Sequence, residues 1–105
     1  MEEREFIDIG DSILFEDDRV RIWDYRLAPG ETGGYHRHDL DYLLVQISGD
    51  RVAAVPEPDS EGEYNEYVEA VVIPGQVFPI KRGGVERARN IGEKEYFEII
   101  IELKS

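Results

Sequence analysis

The feature that most constrains this chain is its punctuation. Runs rich in β-branched and aromatic residues, none longer than nine positions, are each closed by a turn signal, and no run carries a sustained helical period. Residues 19–27 and 41–47 alternate between two faces, and the alternation in 97–103 places Phe97, Ile99, Ile101 and Leu103 on one side. Shorter extended pieces are expected at 6–9, 12–15, 51–55, 64–72, 77–80 and 85–90. Pro29-Gly30, Gly49-Asp50, Pro74-Gly75, Gly83-Gly84 and Gly92 mark the turns between them. Residues 56–63 are polar and rich in breakers, and read as the loop of a hairpin with arms 51–55 and 64–72. Many short strands with regular turns make an all-β sandwich or barrel.

A length of 105 residues predicts one domain spanning 1–105, with room for one core. The chain has no cysteine, which removes disulfides and thiolate ligands and fits a reducing, cytoplasmic setting. The charged start at 1–5 carries no signal-peptide pattern, and no apolar run approaches the ~20 residues of a membrane span. There are 24 acidic and 12 basic residues, a formal charge of −12. Such a field repels a phosphate backbone. The nearest basic cluster, Lys81, Arg82, Arg87 and Arg89, is small and interrupted by Glu86. Nucleic acid and membrane are therefore not expected partners, and the net charge reads as a solubility device.

The two histidines, His36 and His38, are the chain's only ones and sit one residue apart. On an extended strand, positions i and i+2 share a face, so both imidazoles aim at one point. That is how a β-protein begins a metal site; two pocket histidines with ordinary hydrogen bonds are the alternative. By the same parity Tyr42 and Gln46 share the histidine face if no bulge intervenes, while Ala88 and Asn90 share the face of Glu86. Trp23 and Tyr25 lie on one face of their strand, with the inward side left open. Asp39 and Asp41 flank the histidines; either is a candidate to fix a ring tautomer, with a solvated turn role as the alternative. Asp41 falls opposite His38 by parity. Gly33-Gly34 and Gly83-Gly84 lack the phosphate-loop pattern and read as turns, and no serine sits in a nucleophile motif.

Two spaced patterns resemble the cupin superfamily. Gly30 is followed by five residues, His36-Arg37-His38, three residues, Tyr42, six residues and Gly49, which matches the first cupin motif in spacing with Tyr42 where glutamate usually stands. Gly75 is followed by five residues, Lys81-Arg82-Gly83, two residues, Glu86, three residues and Asn90, which matches the second motif with Lys81 for proline and Glu86 for histidine. The segments 41–45 and 97–104 are similar to a subgroup of small single-domain bacterial cupins, some bearing a beta-alanine degradation label. The resemblance implies a double-stranded β-helix, a small jelly-roll barrel, often a homodimer, with a site in the barrel.

Carried over by position, the family's metal ligands fall on His36, His38, Tyr42 and Glu86. A phenol is a poor ligand at its ordinary pKa near ~10. Glu86 supplies the carboxylate that position 42 lacks, completing a two-histidine, one-carboxylate triad suited to a divalent transition metal, iron first, with manganese, nickel or zinc as alternatives. Glu86 is expected on a strand adjacent to the histidines. Two functions follow. In one, His36, His38 and Glu86 hold the metal of an oxygenase, isomerase or lyase acting on a small molecule, and Tyr42 orients substrate or moves a proton. In the other, a metal-free cavity binds or senses a small molecule without turnover. A terminal strand, 97–103 or 6–9, is expected to pair the homodimer.

Overall fold

Residues 6–62 and 65–104 are described by a computed structural model. They form nine strands and no helix: β1 (Ser12–Glu16), β2 (Val20–Leu27), β3 (His36–Arg37), β4 (Tyr42–Ser48), β5 (Arg51–Pro56), β6 (Val68–Val71), β7 (Val77–Ile80), β8 (Val85–Asn90) and β9 (Tyr96–Leu103). One sheet has the order β1-β2-β9-β4-β7 and the other β3-β8-β5-β6, and every ladder is antiparallel. From β2 to β5 and again from β6 to β9 the chain changes sheet at each connection. The result is the expected jelly-roll, a double-stranded β-helix. Gly30 and Gly75, which open the two motifs, have φ of 81° and 86°. A side chain there would strain the turn that delivers the chain to the next sheet.

Two expected strands change. Residues 6–9 form none: Ile7 N–H reaches Tyr35 O at 2.8 Å, Ile9 is buried in the core, and the chain turns at Gly10 onto β2. A Cβ at Gly10 would stand 2.5 Å from Trp23 Cβ and 2.7 Å from Asp24 O, so this close crossing replaces strand pairing. The second hairpin arm is shorter than 64–72, because Glu66 and Tyr67 are exposed and unpaired to β5 before β6 begins. Its start at Tyr64, like Glu63 and the charged residues 1–5, lies outside the described residues. The hairpin loop folds back on the second glycine pair, with Glu57 N–H on Val85 O at 2.8 Å and Glu61 N–H on Gly83 O at 2.9 Å.

The alternation in β9 is as expected, and its buried side is the one that carries the glutamates. Tyr96, Glu98, Ile100 and Glu102 are buried, whereas Phe97, Ile99, Ile101 and Leu103 are half-buried on the outer face. Register defines inner rows across three strands: Tyr25–Glu98–Gln46, Trp23–Ile100–Leu44 and Arg21–Glu102–Tyr42, from β2 through β9 to β4. Glu102 is tolerated inside because it accepts hydrogen bonds from Arg21 Nε at 2.6 Å and Trp23 Nε1 at 2.7 Å. Replacing Glu102 with alanine leaves the Trp23 N–H buried without an acceptor. Stability in urea should fall by about 1–3 kcal/mol, the cost of orphaning a buried donor; an unchanged midpoint would show that the network carries no stability.

Candidate metal centre and its cavity

His36 pairs directly with Glu86 across the β3–β8 ladder, and Arg37 with Val85. Beyond β3 the backbone continues the pairing: His38 N–H donates to Gly84 O at 2.9 Å and Gly83 N–H to His38 O at 2.8 Å. Both histidines are therefore placed by main-chain bonds rather than by their own rings. His36 Nε2 lies 3.8 Å and His38 Nε2 3.4 Å from Glu86 Oε1. One ligand atom from each of the three residues lies within 4.8 Å of the others. Ligands held at about 2.1 Å from one ion are separated by roughly 3.0–3.4 Å in octahedral or tetrahedral geometry. The donor set thus fits an ion after small side-chain adjustment.

The protonation states also fit. Burial disfavours ionisation of Glu86, but the two imidazoles outweigh it and hold the carboxyl down at about 2. Burial lowers the pKa of His38, keeping it neutral. Neutral imidazole and ionised carboxylate are the forms a metal requires. His36 Nδ1 lies 3.3 Å from Gly34 O, a bond that would leave Nε2 free to ligate, whereas His38 Nδ1 is buried with no hydrogen-bond partner among the described residues.

Tyr42 is 3% exposed and its ring stacks on His38, centroids 4.0 Å apart with planes at 14°. The phenol ring clamps the imidazole face, a role the motif position alone did not reveal. Gln46 and Ala88 line the cavity as parity suggested. Asn90 does not. It is fully buried, its Nδ2 donating to Leu27 O at 3.0 Å and Lys94 O at 2.8 Å and its Oδ1 accepting Gly92 N–H at 2.9 Å, so it fastens the β8–β9 turn. Neither aspartate meets a histidine. Asp41 accepts from Arg82 N at 2.9 Å and Nε at 3.1 Å, and Asp39 pairs with Arg37 at 3.0 Å. Trp23 and Tyr25 both point inward; Trp23 serves Glu102, and Tyr25 lines the cavity.

The cavity has a volume of about 220 Å³, with walls from both sheets. His36, His38 and Glu86 lie on one side, Leu44, Phe78 and Ile100 form an apolar belt, and Glu98 and Tyr96 complete the wall. Sequence reasoning missed Glu98. Burial pushes its carboxyl up to about 7, against a hydrogen bond from the Tyr96 hydroxyl that favours the ion. Burial, with the nearby Glu98, likewise raises the phenols of Tyr25 and Tyr96.

The double-stranded β-helix defines a fold class, and solved structures of that fold superpose on the chain. A cupin domain from Bordetella pertussis Tohama I superposes with a TM-score of 0.74 at 21% identity, covering 90% of this chain and 91% of that one. An RmlC-like cupin family protein from Methanocaldococcus jannaschii gives 0.68 at 16% identity, covering 98% and 90%. The chain folds as a small cupin. In sequence it is 26% identical over 94 residues to an auxin-binding protein of Nicotiana tabacum, covering 89% of this chain but spanning only 50% of that relative's length. It is 27% identical over 94 residues to the beta-alanine degradation protein BauB of Pseudomonas aeruginosa, covering 89% of this chain and 90% of that protein. No family profile matches the chain.

The raised Glu98 gives a pH signature. The groups facing it are Tyr96 on its own strand, Tyr25 on β2, His36 on β3, Glu86 on β8 and Asp11. Between the ordinary value of 4.5 and about 7 the unfolded chain releases this proton while the folded chain keeps it. Wild-type stability therefore falls, relative to Glu98→Gln, as pH rises through that window, by on the order of 3 kcal/mol in total, and the difference levels off above it. Thermal unfolding of both proteins from pH 4.5 to 8 measures this; a pH-independent difference would mean that Glu98 titrates normally.

Proposed function

We propose that this cytoplasmic small cupin is a metal-dependent enzyme acting on a small molecule. The observation that supports it most is the convergence of His36 Nε2, His38 Nε2 and a Glu86 oxygen on one wall of the barrel cavity. A divalent transition metal bound there, iron first and otherwise manganese, nickel or zinc, would supply oxygen activation or Lewis-acid polarisation of a carbonyl. The chain's own residues do the rest. Glu86 stays ionised, and His38 stays neutral under the stacked Tyr42 ring. The apolar belt excludes water from the reacting end of the substrate. Tyr42, beside His38 on the cavity wall, orients the substrate or moves a proton.

A second reading has its own observation. Glu86 already stands 3.4 Å from one imidazole and 3.8 Å from the other, so the cluster is electrostatically satisfied without an ion. On that reading the protein binds or senses a small molecule without turnover. Elemental analysis of untagged protein, grown with iron supplied, separates the two. The enzyme reading expects close to one equivalent of metal, and less than about a tenth in His36→Ala, His38→Ala or Glu86→Ala, while Tyr42→Phe keeps its metal. Wild-type content below about a tenth of an equivalent supports the binding module, and unchanged content in Glu86→Ala overturns the triad.

The assembly belongs to the same proposal, with a correction to its edge. β9 lies between β2 and β4, and residues 6–9 are not a strand, so neither expected segment is free to pair. β1 is an edge strand whose five residues are all exposed, including Ile13 at 48%, Leu14 at 54% and Phe15 at 52%. A homodimer joined along β1 would cover this apolar edge. Light scattering at tens of micromolar should give a dimer for wild type and a monomer for Ile13→Lys/Phe15→Lys; a monomeric wild type removes the dimer.

A further inference from the structure

Glu98 and Glu102 share the buried face of β9, yet their surroundings differ. Glu102 has a cation and an indole N–H at bonding distance. Glu98, 6% exposed on the cavity wall, has the Tyr96 hydroxyl, and no lysine or arginine pairs with it among the described residues. Its register partners are Tyr25 on β2 and Gln46 on β4, so three polar side chains stand abreast at one level of the barrel. The Tyr25 hydroxyl is buried without a hydrogen bond, tucked where Gly33 lacks a Cβ. Gln46 Oε1 accepts Ile73 N–H at 3.2 Å and keeps a second lone pair.

We propose that the row Tyr25–Glu98–Gln46 receives the ammonium head of a small aliphatic amine, whose alkyl chain lies along Leu44, Phe78 and Ile100. A buried carboxyl with no cation is an unfinished ion pair, and it becomes stable as an ion when a cation arrives with donors to match. An ammonium offers three donors. The Glu98 carboxylate and the Gln46 amide oxygen accept from it, and the Tyr25 ring, whose hydroxyl turns to Gly33, walls the side of the row. The next inner positions, Leu44 and Ile100, are apolar, with Phe78 beside Leu44, which suits a hydrocarbon body. The chain's charge of −12 raises the local concentration of cations, and Glu86 together with Glu98 repels an anionic head. The inference rests on the reading that the cavity holds a small molecule; it does not require the metal.

Calorimetric titration of the full chain after chelator treatment, with n-butylammonium, 1-butanol and butyrate as probes, tests the head group at constant tail. Butylammonium is expected to bind at least about tenfold more tightly than 1-butanol or butyrate, the margin of a charge-assisted over a neutral hydrogen bond. Glu98→Gln should abolish that preference and leave 1-butanol affinity within about threefold. If circular dichroism shows that Glu98→Gln does not fold, Gln46→Leu gives the second reading, with butylammonium affinity falling several-fold. Wild type that does not bind butylammonium, or binds amine and alcohol equally, overturns the proposal, as does a preference that survives in the folded variants. Because no metal is present, failure of metal loading leaves this result standing, and loss of the amine preference leaves the triad untouched.

Discussion

The register of β9 between β2 and β4 is the constraint on which the rest of this structure depends. β9 is the central strand of its sheet, with eight residue pairs to β2 and six to β4, both antiparallel. Side chains alternate with a period of two, so a slip of one residue would turn Glu98 and Glu102 to solvent and bring Phe97, Ile99 and Ile101 inside. On apolar burial alone that slipped register would be attractive. The Glu102 carboxylate opposes it, because Arg21 and Trp23 hold it at 2.6 and 2.7 Å only in the observed register. A buried polar cluster contributes little net stability, but it penalises alternatives that separate its members. The outer face tolerates its half-buried isoleucines, and Phe97 is covered by the Arg26 guanidinium 3.8 Å from the ring centroid.

The candidate metal centre is built by a different economy. Its ladder is only two residues long, yet His36, His38 and Glu86 stand together because the backbone is bonded on both sides of it. The isolated bridge Thr32–Arg89 ties the preceding loop to β8 as well. Tyr42 then links the two sheets by stacking on His38 from β4. A ring held by its main chain and one aromatic face has little rotamer freedom left, so the entropy of ordering the ligands falls on folding rather than on binding.

Much of this is legible in the sequence. Turn residues set the strand limits of β7 and β8 and brought β2, β4 and β9 within a residue or two, since glycines such as Gly30 and Gly75 have positive φ. Conserving the intervals between those turns fixes which residues face each other, and so His36, His38 and Glu86 meet. What was not legible depended on partners distant in sequence. Parity says which residues share a face, not which face turns inward, and a strand with glutamate at every fourth position on one side reads as solvated there. Nothing in that pattern marks Glu98 as a site residue. Asn90 shares the parity of Glu86, but the chain bends away after β8 and spends its amide on Leu27 and Lys94. The expected pairing edge failed similarly, because centrality in a sheet is a property of topology and not of local pattern.

Glu86 and Glu98 show how one residue type acquires two roles within one cavity. Both are largely withdrawn from water, and burial alone would push both toward the neutral form. Two imidazoles reverse that push for Glu86 and hold it near 2, while Glu98, whose hydrogen bond from the Tyr96 phenol and whose attraction to His36 are outweighed by burial, sits near 7. The cavity therefore carries a fixed anion beside the histidines and a conditional one in the Tyr25–Glu98–Gln46 row, which Tyr25 joins to His36 by an edge contact of 6.4 Å. A bound molecule meets one charge already compensated and one that its own head group can summon. Selectivity in such a site comes less from shape than from whether the ligand completes the second ion pair.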